Sequence, residues 1–509
     1  MLRVLSILKK CSSLIGAALL FCSLYSSAQS AIPAFNKEAV VKEFLEYLSL
    51  PNESDNPDDI EKNLLYVRNH LEESGVTTEL IHFQEVDYLF GVFNEGAPYT
   101  LLIYLQLDAL AANAQNWNQS DPFTPVLKRK KNGTYFPISS PDIERTFSED
   151  DYVFARGASD SKGPTFSLLA ALRTLFESDI KPSVTIKIIG DTAEEKGSRT
   201  LSSFVQSYRN KFKADGLLIL DGTRSLADVP TLTYGARGIA TFTLTTYAGL
   251  VDLHSGQYGS IIPNPWVEMN QIVASMMDND QNVLIEGFDP YSDSAEELSY
   301  LKELQYGGYD ELEKRLGKPL LKHYIHPQQA FHHPSLIVRD YFANDGTTKG
   351  LTRIPSSVSA VFEMRLTPET PAKPQFEYIR NHLKKQGYTV IESEATNEQR
   401  AKTFKLVRIQ TSTGSVAFRT PLNSRLGNWF EEGIKKGLHQ NEVLKLTTTG
   451  GSQPIASFIN TLNIDAIALR IPNPDANIHG PNENIALKNL FEGIQSLLGI
   501  FTTDFKDGN

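Results

Sequence analysis

Four carboxylates and an imidazole, Asp160, Glu194, Glu195, Asp221 and His479, are placed so that a folded chain could gather them around a cation. Three apolar runs, Thr100 to Leu105, Val184 to Ile189 and Gly216 to Leu220, have the continuous hydrophobicity of strands buried in a parallel sheet. Carboxylates follow each run closely: Asp108 after the first, Asp191 with Glu194 and Glu195 after the second, and Asp221 after the third. The carboxyl ends of strands are where open α/β sheets bind ligands. Asp160 closes Gly157-Ala-Ser-Asp160, a glycine-containing turn that runs into a helix. With Cys11 and Cys22 confined to the first thirty residues, no thiolate competes. Asp160, Glu195, Asp221 and His479 are then the oxygen and nitrogen donors a zinc-like ion prefers. Glu194, left uncoordinated, suits proton transfer from a metal-activated water to a leaving amine. A lone Asp after a strand also serves as a helix cap, and paired glutamates also open helices, so the order of these features carries the argument.

The elements that must position these groups alternate between helix and strand. Glu38 to Leu48, Ile60 to Ser74, Thr165 to Phe176, Trp429 to Gly437 and Ile485 to Phe501 have helical spacing, and Thr78 to Asn94 holds two β-like runs. Ile464 to Leu469 is a further buried strand, whereas Pro122 to Tyr135 reads as a loop. From Thr233 to Thr246 the pattern alternates like a half-exposed antiparallel strand, followed by helices near Asn264 to Met276 and Gln375 to Lys385 and a strand at Ser357 to Leu366. This texture predicts an α/β catalytic domain with a mostly parallel sheet, built from residues 31–235 and 417–509. An α+β domain over 236–416 interrupts it. His323, His326, His332 and His333 read as a surface loop beside Pro327 and Pro334, Glu149-Asp150-Asp151 as a solvated loop, and Lys162 as a support for the Asp160 turn.

Residues 1–30 carry Arg3, Lys9 and Lys10, an apolar run from Leu14 to Leu24, and a small-residue region at Ala28-Gln-Ser30. This is the pattern of a secretory signal peptide, so the expected location is periplasmic or secreted. Its removal takes three positive charges and moves the net charge from −11 to −14 (−11 − 3). A chain so acidic, without a basic stripe, is not built for nucleic acid.

Gly157 to Gly163, Asp191 to Ser198, Asp221, Asp252-Leu-His254-Ser-Gly-Gln-Tyr-Gly259, Gly450-Gly-Ser452 and Asn477-Ile-His479-Gly-Pro-Asn-Glu483 follow one another as in the co-catalytic di-zinc exopeptidase and aminoacylase family, which the chain resembles. That family includes carnosine dipeptidases, acetylornithine deacetylase and succinyl-diaminopimelate desuccinylase. Thr233 to Gly238 and the stretch around His254 look most like the carnosine-dipeptidase branch. The resemblance implies that Asp160 bridges two metals, that Glu195 and His479 complete one site, and that Asp221 belongs to the other. It implies Glu194 as general base, His254 of the inserted lid as oxyanion stabiliser, and Arg365 with Gly451 and Ser452 as the grip on a substrate carboxylate. It also implies a homodimer.

At one position the chain departs from the family. Where the family has a metal-ligating histidine two residues before the aspartate that orients it, this chain has Gln106-Leu-Asp108. No histidine among the ten, at 70, 82, 254, 323, 326, 332, 333, 382, 439 and 479, lies close by in sequence. A carboxamide oxygen is a poorer zinc donor than imidazole, and Asp108 loses the ring it would orient. Three outcomes stay open: a second ion held by Gln106 or Asp108, as zinc or a harder ion such as manganese; a one-metal hydrolase; or a peptide-binding homologue that has lost catalysis. The expectation is an exported metallopeptidase cleaving dipeptides or short peptides, with N-acyl amino acids as the alternative substrates.

Overall fold

The computed structural model describes residues 32–139, 147–343 and 352–505. The expected leader, with both cysteines, lies outside the described residues.

The apolar runs become the centre of an eight-stranded sheet. In spatial order its strands are Thr77–Phe83, Val86–Phe93, Thr185–Asp191, Thr100–Gln106, Gly216–Ile219, Ala466–Arg470, Thr231–Thr233 and Leu444–Leu446. The inner strands Thr185–Asp191, Thr100–Gln106, Gly216–Ile219 and Ala466–Arg470 are all parallel. Antiparallel pairing appears toward both edges, so the sheet is mixed with a parallel heart. Leu101, Leu102, Ile103, Ile186, Ile188, Leu217 and Leu218 are buried on both faces, which explains why these strands read as unbroken hydrophobic runs. Helices Lys37–Leu48, Pro57–Glu73, Lys162–Glu177, Arg425–Leu438 and Leu487–Phe501 pack with one face in a single large core; the shorter helices Leu201–Ser207 and Ala456–Leu462 contribute to a second.

Several stretches differ from expectation. The predicted loop Pro122 to Tyr135 contains strands Val126–Lys131 and Thr134–Pro137, which join Asp151–Phe154 and Asn484–Ala486 in a four-stranded sheet. Its sequence is too cationic to announce a strand, but Lys128 lies 4.0 Å over the Phe154 ring, and Arg129 Nε and Nη2 donate to Asp151 at 2.6 and 2.9 Å. Asp151 is consequently fully buried rather than part of a solvated loop. The run from Thr233 to Thr246 is not a single strand either. Thr231–Thr233 stays in the central sheet, Gly235–Ala236 pairs with Phe418–Arg419, and Gly238–Tyr247 enters a separate five-stranded sheet.

That second sheet, in the order Ser335–Ala343, Ser357–Leu366, Gly238–Tyr247, Leu406–Thr413 and Thr389–Ile391, packs on helices Pro265–Met276 and Ala372–Lys385 to form the inserted α+β domain. Phe242 and Phe362, opposite each other in register, stack at 4.6 Å in its core. No helix among the described residues is long and apolar enough to cross a membrane.

Within the inserted domain Glu268 is buried, and its Oε2 has no hydrogen-bond partner. Burial, partly offset by the charge of Lys405, pushes its carboxyl up to about 7 from 4.5. A carboxyl raised on folding keeps its full contribution to stability below its unfolded value and loses it as pH rises through its folded one. Glu268→Gln is therefore expected to raise the Tm by roughly 2–4 °C at about pH 8.5. Near pH 4.5 the gain should vanish; calorimetric scans at the two pH values check both halves of the statement.

Candidate metal centre

The parallel strands end on one edge of the sheet, and the loops that leave this edge carry the candidate residues. Gln106 is the last residue of its strand and Asp191 the last of the neighbouring one, paired in register. Asp108, Glu194 and Glu195 follow within a few residues, and Asp221 lies just past Gly216–Ile219. Asp160 arrives from the turn before helix Lys162–Glu177, and His479 from the loop after Ala466–Arg470.

Asp160, Glu195 and His479 converge so that one ligand atom from each lies within 4.8 Å of the others. His479 Nε2 is 2.9 Å from Asp160 Oδ2 and 3.5 Å from Glu195 Oε1. Two donors bound tetrahedrally at zinc–ligand lengths of ~2.1 Å stand about 3.4 Å apart, so small adjustments would seat a cation among these atoms. Two carboxylates and an imidazole, with a further position open, is also the ligand count of a catalytic rather than a structural zinc site. His479 itself has φ 62°, a left-handed conformation that non-glycine residues adopt rarely and that aims its ring.

The electrostatics report the same crowding. Hydrogen bonds to Asp160 and Glu195 push His479 up to about 10. Asp160 is raised by burial and, more weakly, by the charges of Asp221 and Glu195. Glu194 rises to about 9, through burial first and then through Asp221, Asp160, Glu195 and Asp108. Carboxylates packed this tightly need a cation or protons among them.

Asp108 is fully buried and its two oxygens accept the backbone N–H groups of Glu194 and Glu195, each at 3.1 Å. It thus shapes the turn that presents both glutamates. Burial, followed by the charge of Asp191, raises it to about 7. Asp191 is held in turn by Tyr104 OH at 2.9 Å, Ser198 Oγ at 2.6 Å and Ala193 N–H at 2.9 Å. Gln106 meets the centre with its amide nitrogen, which donates to Glu195 Oε1 at 3.1 Å and to the Asp108 carbonyl at 3.3 Å. Asp221 Oδ2 accepts from Gln453 Nε2 at 2.7 Å.

Glu483 is a site residue whose role the sequence reading did not assign. It is completely buried, and its carboxylate accepts the N–H groups of Gly157, Ser159 and Asp160 at 3.1, 2.9 and 2.9 Å while pairing with Arg156 Nη1 at 2.7 Å. The Asp160 turn is wound around this one side chain. Gly163 lets the following helix start close by, because a Cβ there would collide with the Ala158 carbonyl. Lys162 supports the turn as expected, donating to the carbonyls of Tyr47 and Leu50, and burial lowers it to about 7.

Arg365 and Ser452 are in contact. Arg365 Nη1 donates to Ser452 Oγ at 3.1 Å and its Nε to Glu363 Oε1 at 2.7 Å. Gly451 is fixed through its carbonyl, which accepts from the Arg237 N–H at 3.2 Å. His254 stands apart: it is exposed on the short strand Leu253–His254 and makes no hydrogen bond or ion pair with the cluster among the described residues. The histidines expected on a surface loop are mostly inside. His332 bridges Asp293 Oδ1 at 2.5 Å and Thr447 Oγ1 at 2.6 Å, and His333 contacts Asp289 and Asp293 at 2.7 and 3.0 Å. His326 is buried too, leaving His323 as the exposed member. Their carboxylate partners lie some forty residues earlier in the chain, out of reach of a local sequence pattern.

A carboxylate–imidazole cluster with a spare glutamate beside it is the equipment of a metallohydrolase. Residues 104–503 match the Peptidase family M20/M25/M40, and the chain belongs to that family of metallopeptidases. It is 25% identical over 417 residues to the Cys-Gly metallodipeptidase dug1 of Schizosaccharomyces pombe, covering 79% of each chain. With the Beta-Ala-His dipeptidase of Mus musculus it shares 29% identity over 249 residues, 46% of this chain and 49% of the relative. The crystal structure of the M20 family metallo-carboxypeptidase Sso-CP2 from Sulfolobus solfataricus superposes with a TM-score of 0.73 at 25% identity, over 92% of this chain and 99% of that one.

Glu483→Ala would strand the buried Arg156 charge and three N–H groups, a loss of about 3–5 kcal/mol of stability. Glu483→Gln, which keeps the volume, should cost less stability yet still weaken divalent-metal affinity by about 10–100-fold. Thermal denaturation and chelator competition measure the two effects separately.

Proposed function

We propose that the protein is an exported dipeptidase or short-peptide hydrolase in which Asp160, Glu195 and His479 hold a divalent cation and Glu194 is the general base. The observation that supports this most is the convergence of those ligands from three separate loops, with Glu194 on the same turn as Glu195. A zinc-like cation bound there supplies Lewis-acid polarisation of the scissile carbonyl and an acidified water. Burial and neighbouring carboxylates raise the proton affinity of Glu194, as a group that must accept a proton and return it to the leaving amine requires. Asp108, through the two N–H groups it holds, fixes the direction in which Glu194 points. Arg365 and Ser452, brought together across 87 residues, offer a planar guanidinium and a hydroxyl to the free carboxylate of a substrate. The Gly451 turn sits beside them.

His254 completes the proposal as an oxyanion donor. Its exposed position in the inserted domain fits a group that reaches a substrate only after domain closure or from the second subunit of a homodimer. Export rests on the basic and apolar pattern of residues 1–30.

Dipeptides assayed beside N-acetyl and N-succinyl amino acids test the substrate class, and faster turnover of the dipeptides is expected. Glu194→Ala should lower kcat by about 10²–10⁴-fold while metal content, measured by elemental analysis, stays at the wild-type level. Wild-type protein that binds metal and dipeptide yet turns over neither substrate class would identify a binding protein instead.

A further inference from the structure

The neighbourhood of Asp160 is asymmetric. On one side Asp160 Oδ2 and Glu195 Oε1 meet the His479 ring, three atoms suited to a common cation. A second cation bridged by Asp160 would draw on Asp221 and residue 106, but residue 106 turns an amide N–H to Glu195 Oε1 and Asp221 accepts one from Gln453. Two acceptors, the Glu195 carboxylate and the Asp108 carbonyl, lie around the same terminal atom of Gln106, which identifies that atom as the amide nitrogen. The lone pair of a carboxamide nitrogen is delocalised into its carbonyl, so the end of Gln106 that meets the centre has no electron pair to give a metal. Asp221 Oδ2 is likewise engaged by Gln453 Nε2 at 2.7 Å, and the far end of that amide, Gln453 Oε1, is buried with no partner.

A third group adds fixed charge. Arg470 is buried, donates from Nη1 to the Asp221 carbonyl at 2.5 Å and from Nε to Thr233 Oγ1 at 3.1 Å. Its guanidinium is thereby held against the backbone of the residue whose carboxylate a second cation would need. Of the protein's own interactions near Asp221, those with Gln453 and Arg470 are therefore donations to it.

We infer that this chain is built to hold one cation rather than two, with the amide of Gln106 steadying Glu195 at the retained cation and the amide of Gln453 engaging Asp221, on which a second ion would otherwise draw. The inference rests on the metallohydrolase reading above and narrows it. Gln106 and Gln453 are positioning residues: the first orients a ligand of the retained cation, and the second keeps Asp221 from collapsing onto Asp160 or Glu194. Asp221 serves in this arrangement as a counter-charge to Arg470.

The test is a count. Protein stripped with a chelator is titrated with Zn2+, desalted and analysed for bound metal, and a second sample is loaded with Mn2+ for electron paramagnetic resonance. One equivalent per chain and an uncoupled Mn2+ spectrum are expected for wild type, and Gln106→His, alone or with Gln453→Ala, should move the count toward two. Two equivalents or a spin-coupled spectrum in wild type would overturn the inference while leaving the metallohydrolase reading intact. No bound metal at all would overturn both. A Gln106→His protein that melts like wild type and still takes a single ion would remove Gln106 as the determinant. The wild-type count stands whether or not the variants fold.

Discussion

Asp160 and Glu194 are buried, which already penalises their charged forms, and the nearby charges of Asp221 and Glu195 raise their proton affinity further. Everything around them can be understood as compensation for that crowding. His479 lies between Asp160 and Glu195, Gln106 donates to Glu195, Gln453 donates to Asp221, and Arg470 supplies a buried positive charge beside it. A divalent cation is the most economical answer to the same problem, since it neutralises two negative charges at the point where they converge. The family to which the chain belongs is one of metallopeptidases, and this electrostatic strain is the local physical expression of that membership.

Around the crowded centre is a layer that makes no claim to chemistry but fixes where the chemistry can occur. Glu483 gathers three N–H groups and a guanidinium, and so determines the path of the Asp160 turn. Asp108 does the same for the turn bearing Glu194 and Glu195, and Asp191 for the residues just before it. Each of these is a buried carboxylate satisfied by backbone donors, joined by side-chain donors at Glu483 and Asp191, an arrangement that costs desolvation and returns a unique geometry. The inserted domain is tied in by hydrogen bonds of other groups. His332 reaches Thr447, Gln328 reaches the Thr448 carbonyl at 2.5 Å, and Arg237 holds Thr449 and Gly451 through its N–H. The Gly450-Gly-Ser452 turn is thereby gripped from the inserted domain while it offers Ser452 to Arg365.

The buried parallel strands were legible because a strand covered on both faces leaves a continuous apolar run, as Thr100 to Leu105 does. Helices were legible through their period. Strand Val126–Lys131 was not, since a lysine on an aromatic face and an arginine on a buried aspartate satisfy charges that look solvated when read in order. The break at Tyr234 escaped for a different reason: alternation continues through it, and only the pairing partners change, from the central sheet to that of the inserted domain.

Some things about this protein were determined by residue type alone. The two thiols lie at Cys11 and Cys22, far from the candidate donors, which are carboxylates and an imidazole, and position 106 holds an amide where the resembled family has an imidazole. These are properties of side-chain chemistry, which a chain carries before it folds. Tertiary structure decided which atoms meet. The contact of Gln453 with Asp221 spans 232 residues and that of Glu483 with Asp160 spans 323, and His332 finds Thr447 115 residues away. Hydrogen bonds are short and directional, so they depend on positions that no local pattern encodes. The turns that bring these groups together are set by packing of the whole sheet and its helices.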